Sequence, residues 1–432
     1  MAHRLMHMCE DFRHHFVVHG RDIAGHVRTY LGGILSRSER KNIECIQACV
    51  KDANYQAMQQ MISDSPWKHQ ALMDQVATVA GDALGGHSNS ALYLDESGFA
   101  KKGDKSVGVQ RQYCGRLGKV DNCQVGVYAC LGRAESAAII DFRLFLPESW
   151  VEDDARCERA KVPVEERRRR SKPQLALEMV RHAVAQGVKF SWIGGEEVYG
   201  NSPHLIAGIE ELGLTWLMDV ACTTGVWEKK PRAQDKSRSV KDLVAEHFEC
   251  GHREVVIRQT SQGPLRAKMW ATPVWVSKSG QAGWHQRLLV VRQEADGSFK
   301  YSMSNAAPET SLERLGYMQA QRFWIERAFQ DAKSELGMSQ YEVRGWKGWH
   351  HHMALVCLAL LFVMKERMAA QAEVPLLSAR DVVELLDYYL PRPRIDEQEL
   401  FARLKQRHQQ RKQSMEAHKK RTRHRAGINE TT

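Results

Sequence analysis

Three carboxylates in this 432-residue chain stand where a reactive site is easily built. Asp95 closes a short apolar run, ALYLD (91–95), and faces a glycine- and lysine-rich turn, ESGFAKKGDKSVGV. Glu196 follows two glycines at the end of a second run, KFSWIGGEEVYG (189–200). Glu326 lies in YMQAQRFWIERAFQDAKSELG (317–337), where Phe323, Ala328, Phe329, Ala332 and Leu336 recur at helical spacings and Gly337 is a stop. One helix is expected there, with Arg322, Glu326 and Lys333 sharing its other face. An acid between two bases on such a helix reads, by itself, as a solvated salt-bridge face. Three carboxylates converging at one edge of a sheet would be different, because they suit a pair of Mg²⁺ ions. Mg²⁺ takes hard oxygen ligands and completes its shell with water and phosphate oxygens. Two such ions activate the attacking oxygen and stabilise the leaving oxygen of an in-line displacement at phosphorus.

The elements that must position these acids alternate. Strand-like runs at 91–95, 123–131, 138–147, 189–195 and 214–220 are interleaved with helical runs after Pro173 and Ser202, which predicts an α/β fold with a central mixed sheet. Residues 1–88 read as a helical N-terminal domain, a DNA-binding unit or a cap. The core runs over 89–220 and resumes over 303–395. Between them, 221–302 alternates with period two across HREVVIRQT, KMWATPVWVSK, QRLLVVRQ and FKYSMSNA, and reads as an inserted β-rich subdomain. Residues 396–432 form a basic C-terminal arm, low in apolar residues and expected to be mobile or ordered by DNA.

Hydrophobic residues make up 43% and charged residues 26%, a balance suited to a soluble globular protein. The net charge of +10 favours an acidic partner, nucleic acid first. Residues 403–425 hold ten Lys or Arg against the single acid Glu416, so the excess is concentrated in the arm. The ten cysteines form no CxxC pair and no secretory leader is read, which points to reduced thiols in the cytoplasm. The longest apolar run, MALVCLALLFVM (353–364), is too short for a bilayer, which needs about 20 residues, and predicts a buried helix. Further candidates for DNA contact are Lys101 and Lys102 after Asp95, and Arg167, Arg168, Arg169 and Arg170 in ERRRRSK (166–172). Trp346 and Lys347 in RGWKGWHHH (344–352) alternate as base-stacking sites do, although packing in the core is the favoured reading for tryptophans that open an apolar helix. His350, His351 and His352 are consecutive on a helix and cannot share one face, so no zinc site is expected.

Several segments together resemble the DDE-type transposases of bacterial insertion sequences, in the group with a Tyr–Arg–Glu–Lys signature. Arg322, Glu326 and Lys333 fit the R-x3-E-x6-K part, YLDESGFAKKG the first-acid motif and GRLGKVDNCQVGVY the segment after it. EVYGNSP resembles the second-acid turn and RGWKGWHHHMALVCLALLF the helix beyond the signature. The resemblance spans roughly 90–365 and implies an RNase H-like core with a β insertion before the third acid. It implies Asp95, Glu196 and Glu326 as catalytic metal ligands for two Mg²⁺ ions, with Mn²⁺ able to substitute. Arg322 and Lys333 would lie on DNA-backbone positions. The implied partners are double-stranded DNA, both terminal inverted repeats and target, and a second copy in the DNA complex, with no membrane. The implied location is the bacterial cytoplasm, at the nucleoid. Two departures stand out: Gln319 replaces the signature tyrosine, and Glu196 replaces aspartate. The alternative is a DNA-binding protein derived from a transposase and impaired by Glu196; a general nuclease of the same fold is a third reading.

Overall fold

The computed structural model describes residues 1–425 except 233, 261–262, 278–282, 391 and 393–395, so the last seven residues of the expected arm lie outside the described residues. Five helices come first, α1 (Ala2–Asp11), α2 (Ala24–Ile34), α3 (Ile43–Cys49), α4 (Tyr55–Ser63) and α5 (His69–Leu84). The sheet then opens with β1 (Ala91–Ala100), β2 (Gln110–Cys114), β3 (Lys119–Arg133) and β4 (Ser136–Leu144). After α6 (Lys172–Ala185) come β5 (Trp192–Gly195), α7 (Pro203–Glu211) and β6 (Trp216–Asp219). The block after β6 carries α8 (Val240–Gly251), β7 (Arg253–Thr260), β8 (Gly263–Ser277), β9 (Trp284–Gln293) and β10 (Phe299–Ser304). The chain ends in α9 (Leu312–Gln321), α10 (Phe323–Ser334), α11 (Trp346–Ala370), α12 (Ala379–Tyr389) and α13 (Glu397–Arg425).

One ten-stranded mixed sheet organises these pieces, in the order β7-β8-β9-β10-β6-β5-β1-β3-β2, with β4 also on β3. The β-rich block read as a subdomain continues the central sheet, because β10 pairs antiparallel with β6 through Ser302↔Asp219 and Ser304↔Leu217. The arrangement is α/β, with a mixed sheet flanked by helices as the alternating runs predict, and is RNase H-like as the resemblance implies. Three strands run parallel and level: Leu94 of β1 pairs with Gly195 of β5, and Gly195 in turn with Met218 of β6. Asp95, Glu196 and Asp219 therefore sit one step beyond these pairs. In open α/β sheets ligands bind outside such carboxyl ends.

Two expectations about elements need correction. β1 does not stop at Asp95 but runs on to Ala100, because its other edge keeps pairing with β3 as far as Ala100↔Cys123. The single helix expected over 317–337 is two, broken at Arg322, where the Ile325 amide bonds back only three residues to the Arg322 carbonyl at 3.2 Å. A tight turn of this kind aims the second segment separately from the first. The basic arm carries one helix from Glu397 to Arg425.

α11 lies at the centre of the helical layer, with all but Lys347 and its last few residues buried. It packs on β4, α5, α4 and α2. His351 places both ring nitrogens 2.9 Å from carbonyls, those of Ile62 and Trp67, and His352 Nδ1 lies 2.8 Å from the Tyr30 hydroxyl. Burial pushes the His351 and His352 imidazoles down to about 3, which suits side chains fixing helices rather than titrating near neutrality. Among the described residues no helix is long and apolar enough to cross a membrane.

Another polar tie crosses from α5 to the sheet. His182 on α6 stands 3.0 Å from Asp141 of β4 and 3.3 Å from Asp74 of α5. The hydrogen bond to Asp141 holds the His182 pKa above its ordinary 6.5. Asp141 is held below its ordinary 3.8, because Arg143 and His182 outweigh the cost of burial. A raised histidine contributes stability in full below its unfolded pKa and loses it as pH rises through the folded one; a lowered aspartate loses its contribution as pH falls through its own. The tie is therefore strongest between about pH 4 and 6.5. In urea titrations, His182→Gln is expected to lower the unfolding midpoint most near pH 5–6, and the difference should shrink toward pH 8–9.

Candidate active site

The site is assembled from four elements. Asp95 comes from the middle of β1 and is almost fully buried; Oδ1 accepts its neighbour Glu96's amide at 2.7 Å. Glu196 is the N-cap of a four-residue turn of helix, Glu197–Gly200, that follows β5. The turn fits there because Gly200 packs on the Asp219 backbone, where an added Cβ would collide with the Asp219 carbonyl oxygen. Gly194 and Gly195, the two glycines before Glu196, lie in β5 against Trp192, Tyr93, Tyr199 and Met218. Glu326 stands in the first turn of α10, where the helix dipole favours a negative charge.

All three acids meet one cation. Arg322, at the break between α9 and α10, places Nη1 2.6 Å from Glu196 and 3.5 Å from Asp95, and Nη2 3.1 Å from Glu326. Its Nε lies 3.5 Å from a fourth acid, Asp219, at the end of β6. Burial alone would lower the Arg322 pKa, but Asp95, Asp219, Glu196 and Glu326 together hold it above its usual value. Asp95 responds in the opposite sense. Burial first, and the Glu196 carboxylate second, push its carboxyl well above the usual range despite Arg322. The extra methylene of Glu196 thus leaves its carboxylate inside the cluster.

Asp219 is a functional candidate that sequence reasoning missed, although TWLMD repeats the pattern of ALYLD, an apolar strand ending in an acid. It is tightly held. The Ser302 hydroxyl donates to its Oδ1 at 2.7 Å, Gln319 donates to that hydroxyl at 2.8 Å, and Lys300 lies 3.3 Å from Oδ2. Gln319, which stands where the signature has tyrosine, thereby serves the fourth acid. Tyr317 lies elsewhere, with Arg314 over its ring.

The other candidates are distributed as follows. Lys333 reaches back over Phe99 and Phe329, at 5.9 and 5.7 Å from their ring centres. Lys101 points inward, 3.5 Å above the Tyr341 ring, and burial pushes its pKa down to about 8; Lys102 is exposed. Arg167 pairs with Asp154 and Glu158, Arg168 with Glu178, Arg169 with Glu148 and Glu152, and Arg170 with Glu166 and Glu178. Trp346 is buried against His350, and Lys347 donates to the Asp64 carbonyl at 3.1 Å. Phe323, expected in the core, is instead partly exposed, with the Arg258 guanidinium 4.0 Å above its ring.

In chemistry the acids suit a divalent cation: every donor is a carboxylate oxygen, and the cluster is built around a positive charge. That charge is now the guanidinium, and among the described residues no three such side chains stand close enough to hold an ion as they are placed. The donor set fits, provided Arg322 gives way.

The profile of the DDE superfamily endonucleases matches residues 17–268, more than half of the chain, covering Asp95 and Glu196 and ending before Glu326. The chain therefore belongs to the DDE superfamily of endonucleases. A relative from Microchaete diplosiphon, described as a probable transposase for insertion sequence element IS701, is 24% identical over 312 residues, 72% of this chain and 74% of that protein. Enzymes of this superfamily generally use divalent metal ions for phosphoryl transfer on DNA.

Proposed function

We propose that the protein binds the terminal inverted repeats of its element, cuts a strand there and joins the freed end to target DNA. The observation that carries this reading is the convergence of Asp95, Glu196 and Glu326 on one guanidinium at the carboxyl ends of parallel strands. These three carboxylates would hold Mg²⁺, two ions by the chemistry of in-line displacement, and the bound cations would supply activation of the attacking oxygen and stabilisation of the leaving one. In the first step a water oxygen bonds to phosphorus and the bond to the 3′ oxygen breaks, leaving a 3′-hydroxyl. In the second, that hydroxyl attacks a target phosphodiester and displaces the target's own 3′ oxygen. Arg322 and Lys333, on the same helix pair as Glu326, would meet the phosphates flanking the cut. We take the working form on DNA to be a homodimer in the bacterial cytoplasm.

The test is cleavage of duplex DNA carrying the element's ends by the full chain with Mg²⁺ or Mn²⁺. The wild type should cut, and Glu326→Ala should cut about 10³-fold more slowly while still binding. If neither the wild type nor Glu196→Asp cuts although both bind, the chain is a DNA-binding derivative. The basic helix α13 carries a separate expectation. Deleting 397–432 should weaken DNA binding and flatten its salt dependence, since each lost phosphate contact lowers the slope by about 0.9. An unchanged slope would remove α13 from the interface.

A further inference from the structure

The position of Arg322 is more specific than the proposed reaction requires. A guanidinium that only flanked the acids would leave a gap among them. This one fills it, with its two Nη atoms on Asp95, Glu196 and Glu326 and its Nε turned toward Asp219. Only the contact with Glu196 is a well-aligned hydrogen bond. Its hold on the other acids is one of charge, which a competing cation can replace.

Asp219 differs from the other three. Oδ1 is taken by Ser302, and Oδ2 faces both Lys300 and Arg322 Nε. Ser302 is itself held by Gln319, buried in α9, the helix that leads directly into Arg322. The fourth acid is thus locked in place by β10 and α9, while Glu196 and Glu326 project from their elements and are partly exposed.

We propose that Arg322 is an internal counter-ion occupying the metal's place among Asp95, Glu196 and Glu326, and that Asp219 is the positioning residue that draws it aside when a divalent cation enters. This rests on the reading of those three acids as the metal ligands. Metal and guanidinium then compete for the same carboxylates. The apparent metal affinity is the intrinsic one reduced by the fraction of molecules in which Arg322 has moved. Asp219 raises that fraction by giving the guanidinium a second partner.

Binding of Mn²⁺ to the full chain without DNA, followed by the electron paramagnetic resonance of the free ion, tests this without reference to activity. Arg322→Gln is expected to bind Mn²⁺ about tenfold more tightly than the wild type, a typical size for coupling between sites. Asp219→Asn keeps an acceptor for Ser302 but loses the charge, and is expected to bind Mn²⁺ several-fold more weakly. Weaker or equal binding by a folded Arg322→Gln protein would overturn the counter-ion. Unchanged or tighter binding by Asp219→Asn would overturn the role of Asp219. Should Arg322→Gln not fold, Asp219→Asn decides alone. Glu326→Ala separates the layers: if it binds Mn²⁺ as the wild type does, the metal reading of the three acids has failed, whereas loss of binding there with no gain in Arg322→Gln refutes the counter-ion only.

Discussion

An Asp95→Asn protein is expected to fold like its parent and to lose DNA cleavage by about 10³-fold or more. The loss follows from removing the most buried of the converging carboxylates. The intact fold follows from local geometry. The carboxamide oxygen that replaces Oδ1 can still accept the Glu96 amide, and Arg322 keeps Glu196, Asp219 and Glu326. Charge on Asp95 is unfavourable where it stands, since burial and Glu196 push its carboxyl well above the usual range. A carboxyl raised on folding binds more protons in the native state, so its contribution to stability falls as pH rises through that window. The variant lacks this penalty and should unfold at the same urea concentration as the wild type near pH 7, or at a higher one. A large drop in the midpoint would mean that Asp95 holds the fold as well as the site.

The second large effect concerns Lys41, which sits far from the acids in sequence and beneath the helix that carries one of them. Its buried ammonium donates to the carbonyls of Ile34 at 2.7 Å and Glu335 at 2.6 Å and also to that of Ser36. These carbonyls lie at the ends of α2 and α10, where helices leave acceptors unpaired and cations are favoured. Burial pushes the Lys41 pKa down to about 8, which still leaves it charged at neutral pH. Lys41→Met strands three acceptors at once, and an unsatisfied buried group costs about 1–3 kcal/mol. With partial relaxation a loss of about 3 kcal/mol is expected in urea unfolding. Lys51→Met, at an exposed lysine, should change nothing measurable. Equal behaviour of the two variants would remove Lys41 as the tie between the N-terminal helices and α10.

Sequence pattern carried much of this architecture because its causes are local. Period-two alternation marks β7 to β10, Pro173 marks the start of α6, where the structure adds Ser171 as the cap, and the positive φ at Gly337 closes the signature region as its position suggests. What pattern could not supply is anything decided across the sheet. Asp95 reads as a strand end because the Gly/Lys turn follows, yet pairing with β3 carries the strand onward. Asp219 carries the same apolar-strand-then-acid pattern, but only the level register of β1, β5 and β6 brings it to Arg322. The run of four arginines is loudest in the sequence and quietest in the fold, since each meets acids of its own segment or of α6.

The way α11 is enclosed has a bearing on cooperativity. Its apolar surface is covered on one side by α2, α4 and α5 and on the other by β4 and α10, all within one continuous hydrophobic core. Arg4 of α1 also bonds Glu366 near its far end, at 2.6 and 2.7 Å. The first 84 residues therefore cannot melt separately without uncovering α11, and α11 is what the Glu326 helix rests on. A segment that reads as a separate DNA-binding unit or cap is thermodynamically part of the floor of the active site, and heating should show the two giving way together.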